Sequence, residues 1–157
     1  MTIRYRRGET AELGGLDIII CLTPQEADAF QAEVVSLADS IDSLLYALVL
    51  LRTGRTTRTK LRTTSTTERD ATLTDLHVVL ADLDAGLLPR IQGARDALIR
   101  LHKQMGGSLA QLAAVMEVSK STAQSRRTAI TSAPMGQWEK WAVAEDANSF
   151  SPGGNGA

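Results

Sequence analysis

Residues 1–7 alternate between apolar and polar side chains, which is the two-residue period of a β-strand. Ile3 and Tyr5 fall on one face of the first run, and arginines fall on the other. A linker with three glycines then leads to a β-branched run that ends at residue 22. We therefore predict two short strands that form a β-ribbon arm over residues 1–22.

From Thr23 to about Arg52 the apolar positions take up a helical period. Thr23, Pro24 and Glu26 have the composition and spacing of a capped helix start. The apolar residues then recur at alternating steps of four and three, which is the spacing of a coiled-coil seam. A core helix within one subunit has the same spacing, but the length and width of this strip favour dimerisation. The residues predicted to form the dimer seam are Phe30, Val34, Leu37, Ile41, Leu44, Leu48 and Leu51.

Residues 53–67 are rich in threonine, a poor helix former, and hold almost no side chain that could enter a core. We predict a mobile basic loop here. A run of charge is usually a solvated surface, but cations with hydroxyls between them also suit contacts with nucleic-acid phosphates. The cations proposed for such contacts are Arg55, Arg58, Lys60 and Arg62.

Leucines at steps of three and four resume after this loop and predict a second helix that begins near Thr67 or Glu68. A glycine and a proline further on predict a break or kink around residues 85–89. Another amphipathic helix is predicted from 88 to 105, and the glycine pair that follows it is expected to end it.

The charge of the chain as a whole is evidence against nucleic-acid binding. Lys and Arg number 17 and Asp and Glu number 18, so the formal net charge is −1, whereas nucleic-acid binders are usually basic. This sum conceals a segregation of charge. The helices at 24–52 and 68–84 carry acids, but residues 87–130 carry seven Lys or Arg against two acids. The sequence therefore predicts an acidic scaffold with two basic segments.

Residues 108–130 contain the pattern that is most informative about function. Ser108 and Gln111 have capping-box spacing and open a short helix, and Ser119 is placed to cap a second one. The stretch LAAVMEVSKST at 112–122 resembles the helix-turn-helix of bacterial, in particular actinobacterial, DNA-binding regulators. The resemblance covers about 22 residues, and it implies that the preceding helix is the first of a tri-helical domain.

The resemblance assigns the contact with double-stranded DNA to the second helix of this pair. Its exposed start would enter the major groove, where Ser, Thr, Gln and Arg contact base edges and phosphates. Gln124 suits a bidentate pair with adenine, and arginine suits one with guanine. Ser119 and Thr122 are expected mainly to cap the helix. The residues predicted to bind DNA are Ser119, Lys120, Ser121, Thr122, Gln124, Ser125 and Arg127.

Other positions in this segment concern how the two helices pack. Ala113 is small, as expected where the second helix crosses closely, and Met116 and Val118 are expected to bury the corner. Glu117 stands where this family usually has glycine, so either it adopts an unfavourable positive φ or the turn differs. Arg126 occupies a position that is usually apolar, which predicts a weak inner face for the second helix.

The sequence offers no support for catalysis. Neither His77 nor His102 has a partner at metal-ligand spacing, and no phosphate-binding glycine loop or nucleophile elbow is present. The single cysteine, Cys21, excludes an internal disulfide and is expected to be a small buried hydrophobe. We expect no enzyme activity, metal, cofactor or small-molecule ligand. Without a signal peptide or an apolar run of about 20 residues, the expected location is the cytoplasm, at the nucleoid, with no membrane role.

These patterns together predict a mainly α protein whose function is sequence-specific binding of double-stranded DNA, as a homodimeric transcriptional regulator. Trp138 and Trp141 share one helical face and are expected to dock a short terminal helix onto the core. The alternative function is a helical interaction module, antitoxin-like or an adaptor, that holds a partner protein along the 24–52 seam. The predicted parts are the ribbon arm (1–22), a dimerisation and scaffold region with the basic loop (23–86), a helix-turn-helix domain (87–147) and a flexible tail (148–157).

Overall fold

The computed structural model describes residues 1–6, 17–30, 33–58 and 64–143. The described chain is mainly helical, as predicted. It divides into two compact units, Met1–Asp39 and Ser40–Ala157, and each unit contains one small antiparallel strand pair. The predicted tail over 148–157 lies outside the described residues. In chain order the elements are β1 (Thr2–Arg6), β2 (Asp17–Cys21), α1 (Pro24–Phe30), α2 (Glu33–Thr53), β3 (Arg55–Arg58), β4 (Thr64–Asp70), α3 (Leu73–Asp82), a π-helical turn (Leu83–Leu87), α4 (Leu88–Gln104), α5 (Leu109–Val115), α6 (Lys120–Ser132) and α7 (Gln137–Val143).

The predicted ribbon arm is the strand pair β1–β2. Its two strands are antiparallel, with Ile3 opposite Ile20. Because alternate residues of a strand share a face, Ile18 lies on the same side as this pair, and all three isoleucines are exposed. Cys21, which we expected to be buried, is only half-buried.

Helix α1 begins at the predicted capping box. Thr23 Oγ1 accepts a hydrogen bond from the Glu26 N–H at 3.3 Å, and Glu26 Oε2 accepts one from the Thr23 N–H at 2.9 Å. The amino group of Met1 donates to Glu26 Oε1 at 2.6 Å. This bond, together with those from Thr23, lowers the pKa of Glu26 from 4.5 to about 2.

The helix predicted from residue 23 to 52 is described as α1 and α2, and residues 31 and 32 between them lie outside the described part. Helix α2 ends next to Gly54, whose φ of +67° suits glycine and whose N–H bonds to the Leu50 carbonyl at 2.9 Å. The buried side of α2 consists of Ser40, Ser43, Ala47 and Leu50. Of the predicted seam residues, Phe30, Leu44, Leu48 and Leu51 are exposed, and Val34, Leu37 and Ile41 are half-buried.

The prediction of a mobile loop over 53–67 is wrong at residues 55–58 and 64–67, which lie in the strand pair β3–β4. Threonine is β-branched and therefore favours strands, although it is a poor helix former. Arg55 lies opposite Asp70 in the pair, and its Nη1 donates to Glu68 Oε2 at 2.8 Å. Thr56 is buried, and its hydroxyl hydrogen bonds with that of Tyr46 at 2.8 Å. The strand pair is thus anchored on α2.

The second helix, which we expected to begin near Thr67 or Glu68, begins after β4 as α3. Thr72 and Asp75 form the capping box of α3. Arg69, on β4, donates from Nη1 and Nη2 to both carboxylate oxygens of Asp75, at 2.7 and 2.8 Å. These bonds, followed by those from Thr72, hold the pKa of Asp75 well below its ordinary value. The capping signal was therefore present in the sequence a few residues beyond the predicted start.

The break predicted around residues 85–89 is a π-helical turn, through which the helical backbone continues into α4. The Leu88 N–H bonds to the Leu83 carbonyl, five residues back, as in a π-helix. Pro89 lies in the first turn of α4, where a missing N–H is tolerated.

Candidate nucleic-acid interface

Helices α4, α5 and α6 share a small core in which alanines permit close packing. Ile99, Leu112, Ala113 and Ala123 are buried together, and Ala123 has no exposed surface at all. Met116, Val118 and Ile130 are half-buried against this cluster. Ala113 of α5 thus packs with Ala123 of α6, and Met116 and Val118 lie against the same cluster.

The predicted stop and start signals around α5 and α6 are all present. Gly106 has a φ of +78°, and Gly107 donates its N–H to the His102 carbonyl at 2.8 Å, which ends α4. Ser108 Oγ accepts from the Gln111 N–H at 3.2 Å, and Gln111 Oε1 accepts from the Ser108 N–H at 2.8 Å. Helix α6 is capped by Ser119 Oγ, which accepts from the Thr122 N–H at 3.1 Å.

The turn between α5 and α6 resolves the alternatives left open at Glu117. Its φ is 53°, and it is the one non-glycine residue with a positive φ in the part of the chain that the structure describes. Val118 donates its N–H to the Ala113 carbonyl at 3.0 Å, and Glu117 donates to the Ala114 carbonyl at 3.2 Å. This is the helix-ending turn that glycine usually occupies, so Glu117 holds a strained backbone.

Glu117→Gly is therefore expected to be more stable than Glu117→Ala by about 1 kcal/mol, because only glycine relieves the positive φ. Both variants remove the carboxylate, so the comparison isolates the backbone. Chemical denaturation followed by circular dichroism measures the difference. Equal stability of the two variants would show that the turn carries no such strain.

The start of α6 presents the exposed polar surface that the sequence predicted. Lys120, Ser121, Gln124 and Ser125 are all exposed. Ser119 Oγ lies 2.8 Å from Ser121 Oγ and 2.9 Å from Thr122 Oγ1, so hydroxyls cluster at the cap. Thr122 is half-buried; the hydroxyl that caps α6 is that of Ser119, and Thr122 provides the backbone N–H that donates to it.

The two arginines of α6 have exchanged the environments that we expected for them. Arg127 is half-buried, and its Nη1 donates to the Gly107 carbonyl at 3.0 Å, which ties α6 to the connection between α4 and α5. Arg126 is exposed. The helical period explains the exchange, since residue 127 lies about 40° from the buried Ala123 around the helix and residue 126 about 60° on the other side. On the inner side of α6, the Arg127 side chain therefore takes the place of an apolar residue and is held by its hydrogen bond to Gly107.

Helix α7 packs on α4 through its tryptophans, as predicted. The rings of Trp138 and Trp141 meet edge to face, with their centroids 6.1 Å apart. The Arg90 guanidinium lies 4.8 Å from the Trp138 centroid and 5.5 Å from that of Trp141. Gly93 is buried at the contact, and a Cβ there would overlap the backbone carbonyl of Trp138.

Arg100 joins three helices in a way that the sequence did not reveal. Its Nε donates to Glu139 Oε1 on α7 at 3.0 Å, and its Nη2 donates to the carbonyls of Ile130 and Ala133, at 2.6 and 3.2 Å, at the end of α6. Glu139 is buried and also accepts from the Gly136 N–H at 3.0 Å. The bond from Arg100, then that from Gly136, lowers the pKa of Glu139.

Several of the basic side chains are already paired or packed within the chain, which leaves fewer of them to contact a partner. Arg90 and Arg100 are engaged in the internal contacts above, and Arg95 pairs with Asp96 at 2.9 Å. Arg55 is matched by Glu68 and Asp70, at 2.8 and 3.6 Å. The structure describes Arg58 only as part of β3, and Lys60 and Arg62 lie outside the described residues. The exposed cations at α6 are Lys120 and Arg126.

Within residues 1–6, 17–30, 33–58 and 64–143, no group of three His, Cys, Asp or Glu side chains could hold a metal ion. By length and composition, α2 could span a bilayer, with a mean hydropathy of 1.8, a property that core helices of soluble proteins share. The chain matches no protein-family model, and comparison with the curated proteins and the solved structures gives no match either.

Proposed function

We propose that α5 and α6 form a helix-turn-helix whose second helix binds the major groove of double-stranded DNA, and that the protein is a transcriptional regulator. The observation that carries this proposal is the exposed start of α6, where hydroxyl, amide and cationic side chains stand on a closely packed core. Helix α6 has 13 residues and is about 20 Å long. A helix of this size fits a groove about 12 Å wide.

The exposed side chains divide into two roles. Ser119, Lys120 and Ser121 surround the N-terminus of α6, where the helix dipole and hydroxyl donors favour phosphate oxygens. Gln124, one turn further on, is placed for a base edge. Arg126 takes the role of the arginine that reaches DNA, because Arg127 is bonded to the Gly107 carbonyl.

A homodimer would bind a two-fold symmetric site. Two copies of α6 would then lie about 34 Å apart along the DNA, or a multiple of this, to enter successive turns of the groove. The uneven distribution of charge supports an orientation in which α6 faces the DNA. The acids of α2 would repel the phosphates, whereas the cations of α6 would attract them.

A second candidate function is an interaction module that holds a partner protein, and the exposed apolar side of α2 favours it. The two candidates differ in the behaviour of the isolated protein. A regulator is expected to be a stable dimer that binds duplex DNA at low salt. An adaptor is expected to aggregate without its partner and to leave DNA unbound.

Arg126→Ala is expected to weaken binding to a specific duplex by about 1–3 kcal/mol, or roughly 5- to 150-fold, if Arg126 contacts a base. Arg95→Ala is the matched control, because Arg95 is also exposed but its charge is already paired on α4. Fluorescence anisotropy with a labelled duplex measures both. Equal losses for Arg126→Ala and Arg95→Ala would exclude a specific role for α6.

Lys120→Gln is expected to lower the salt dependence of binding by about one ion rather than to change sequence preference.

A further inference from the structure

The backbone of Gly107 is a point at which α4, α5 and α6 are tied together. Its N–H donates to the His102 carbonyl near the end of α4, at 2.8 Å. Its carbonyl accepts from Arg127 Nη1 on α6, at 3.0 Å. The next residue, Ser108, is the N-cap of α5. The bond from Arg127 to this one residue therefore holds α6 against both of the other helices.

Gly107 is itself held firmly by its neighbours. A Cβ at this position would overlap the imidazole ring of His102, so the ring packs directly on the Gly107 backbone. The capping box of Ser108 and Gln111 restrains the chain immediately afterwards. The acceptor of the Arg127 bond thus belongs to a connection that is packed and hydrogen-bonded on both sides.

The position of Arg127 on α6 gives its bond control over the rotation of the helix. At 100° per residue, it lies about 40° from the buried Ala123 and about 60° from the exposed Gln124. Ala123 is the one buried residue of α6, and its methyl group is too short to resist a turn of the helix about its own axis. A hydrogen bond from a long side chain between the buried and exposed sides does resist it.

Other bonds hold α6 only nearer its end. Arg100 Nη2 donates to the Ile130 carbonyl at 2.6 Å, and Lys103 Nζ donates to Thr131 Oγ1 at 3.1 Å. Of these bonds, that of Arg127 lies nearest to the start of the helix. It is therefore the one best placed to orient the exposed polar side chains there.

A small rotation of α6 would be enough to disturb DNA recognition. The side chains of a helix reach about 5–6 Å from its axis, so a rotation of about 20° moves their ends by about 2 Å. A binding constellation must be held within about 0.5 Å of its productive geometry. Hydrogen bonds to base edges would be lost over such a distance, whereas attraction to phosphates would persist.

We propose that Arg127 is a positioning residue, which sets the rotation of α6 through the Gly107 carbonyl and so aims Gln124 at a base edge. The proposal rests on the proposed function, to which it adds the residue that makes binding sequence-specific without touching DNA. Arg127 then contributes to the preference for one sequence and not to the attraction that all sequences share.

Arg127→Met tests this role, because methionine keeps an unbranched side chain for packing but cannot donate a hydrogen bond. Circular dichroism and the thermal midpoint are expected to match those of the native protein. In fluorescence anisotropy with the full chain, binding to a duplex selected from a random pool is expected to weaken about tenfold, as for one lost base contact. Binding to a random-sequence duplex of equal length is expected to change less than about twofold, with the same salt dependence.

Two further variants separate positioning from direct contact. Arg127→Lys can still donate to the Gly107 carbonyl, so it is expected to recover part of the binding to the selected duplex. Gln124→Ala removes the side chain that Arg127 is proposed to aim. In that background the loss caused by Arg127→Met is expected to shrink, whereas independent contacts would give additive losses.

Three results would overturn the proposal while leaving DNA binding by α6 intact. A fall in salt dependence by about one ion in Arg127→Met would show that Arg127 contacts a phosphate itself. Native affinity and sequence preference in that variant would show that the bond to Gly107 orients nothing. Fully additive losses with Gln124→Ala would show that the two residues act separately. A native chain that prefers no duplex would instead contradict the proposed function and the role of Arg127 together.

Discussion

Glu139→Ala is expected to lower the free energy of unfolding by about 3 kcal/mol. The substitution leaves the Arg100 guanidinium, whose side chain is 17% exposed, without its carboxylate, and leaves the Gly136 N–H without its acceptor. The loss is expected near the lower end for a buried ion pair, because Arg100 keeps the carbonyls of Ile130 and Ala133. Urea denaturation at pH 7, followed by far-ultraviolet circular dichroism, measures it.

Glu139→Gln separates the charge from the hydrogen bonds. Its amide oxygen can still accept from Gly136, so it is expected to lose less stability than the alanine variant. The pKa of Glu139 is below its ordinary value of 4.5 in the folded protein. The stability gained from its charge is therefore complete above about pH 4.5 and is lost as the pH falls through the lower, folded pKa. The difference between the native protein and Glu139→Gln must shrink on acidification, and a constant difference would contradict the ion pair.

Gly93→Ala is the second substitution with a large expected effect. The added methyl would overlap the backbone carbonyl of Trp138, and backbone cannot move aside as a side chain can. Helix α7 must therefore shift away from α4, at a cost of about 2 kcal/mol after the better helix propensity of alanine is included. Both tryptophans of the chain lie in α7, so the tryptophan emission spectrum reports selectively on its docking.

Gly86→Ala is the matched control for this prediction. Its added methyl would meet Ser40 Oγ at 3.4 Å, which is an ordinary contact. Stability is expected to be unchanged or slightly raised, and the emission spectrum is expected to stay the same. If Gly93→Ala behaved in the same way, the close approach of α4 and α7 would be wrong.

The features that the sequence predicted correctly depend on neighbours within one turn of helix. Capping boxes at Thr23 and Ser108 need residues only three positions apart, and the end of α4 needs one glycine with a positive φ. The small alanines of the α5–α6 corner were also recognisable, since they belong to a short motif. Local chemistry of this kind is present in the printed chain and needs no knowledge of tertiary packing.

The features that the sequence missed depend on residues far apart in the chain. Arg100 and Glu139 are 39 residues apart, and nothing near Arg100 distinguishes it from a solvated cation. Arg126 and Arg127 are adjacent, so a small difference in helical phase decided which one was exposed. The strand pair β3–β4 was overlooked because its charges suggested solvent, whereas Arg55 is matched across the pair by Glu68. The dimer seam and the DNA contacts remain predictions.

The contacts of Arg100 link the packing of α7 to the helix that carries the proposed DNA site. The same side chain that pairs with Glu139 on α7 bonds to the carbonyls at the end of α6. Loss of the Arg100 side chain is therefore expected to loosen the end of the helix whose start carries Lys120 and Gln124. This connection makes α7 a support for α6, although it lies outside the segment that resembles a helix-turn-helix.

Selection of bound duplexes from a random pool, at low salt and with the full chain, is the decisive test of DNA binding by α6. We expect enrichment of a two-fold symmetric sequence whose half-sites are about one helical turn apart, or a multiple of one turn. We also expect Arg126→Ala to weaken that enrichment and Arg95→Ala to preserve it. Recovery of no duplex above the level of a protein-free control would contradict DNA binding by α6.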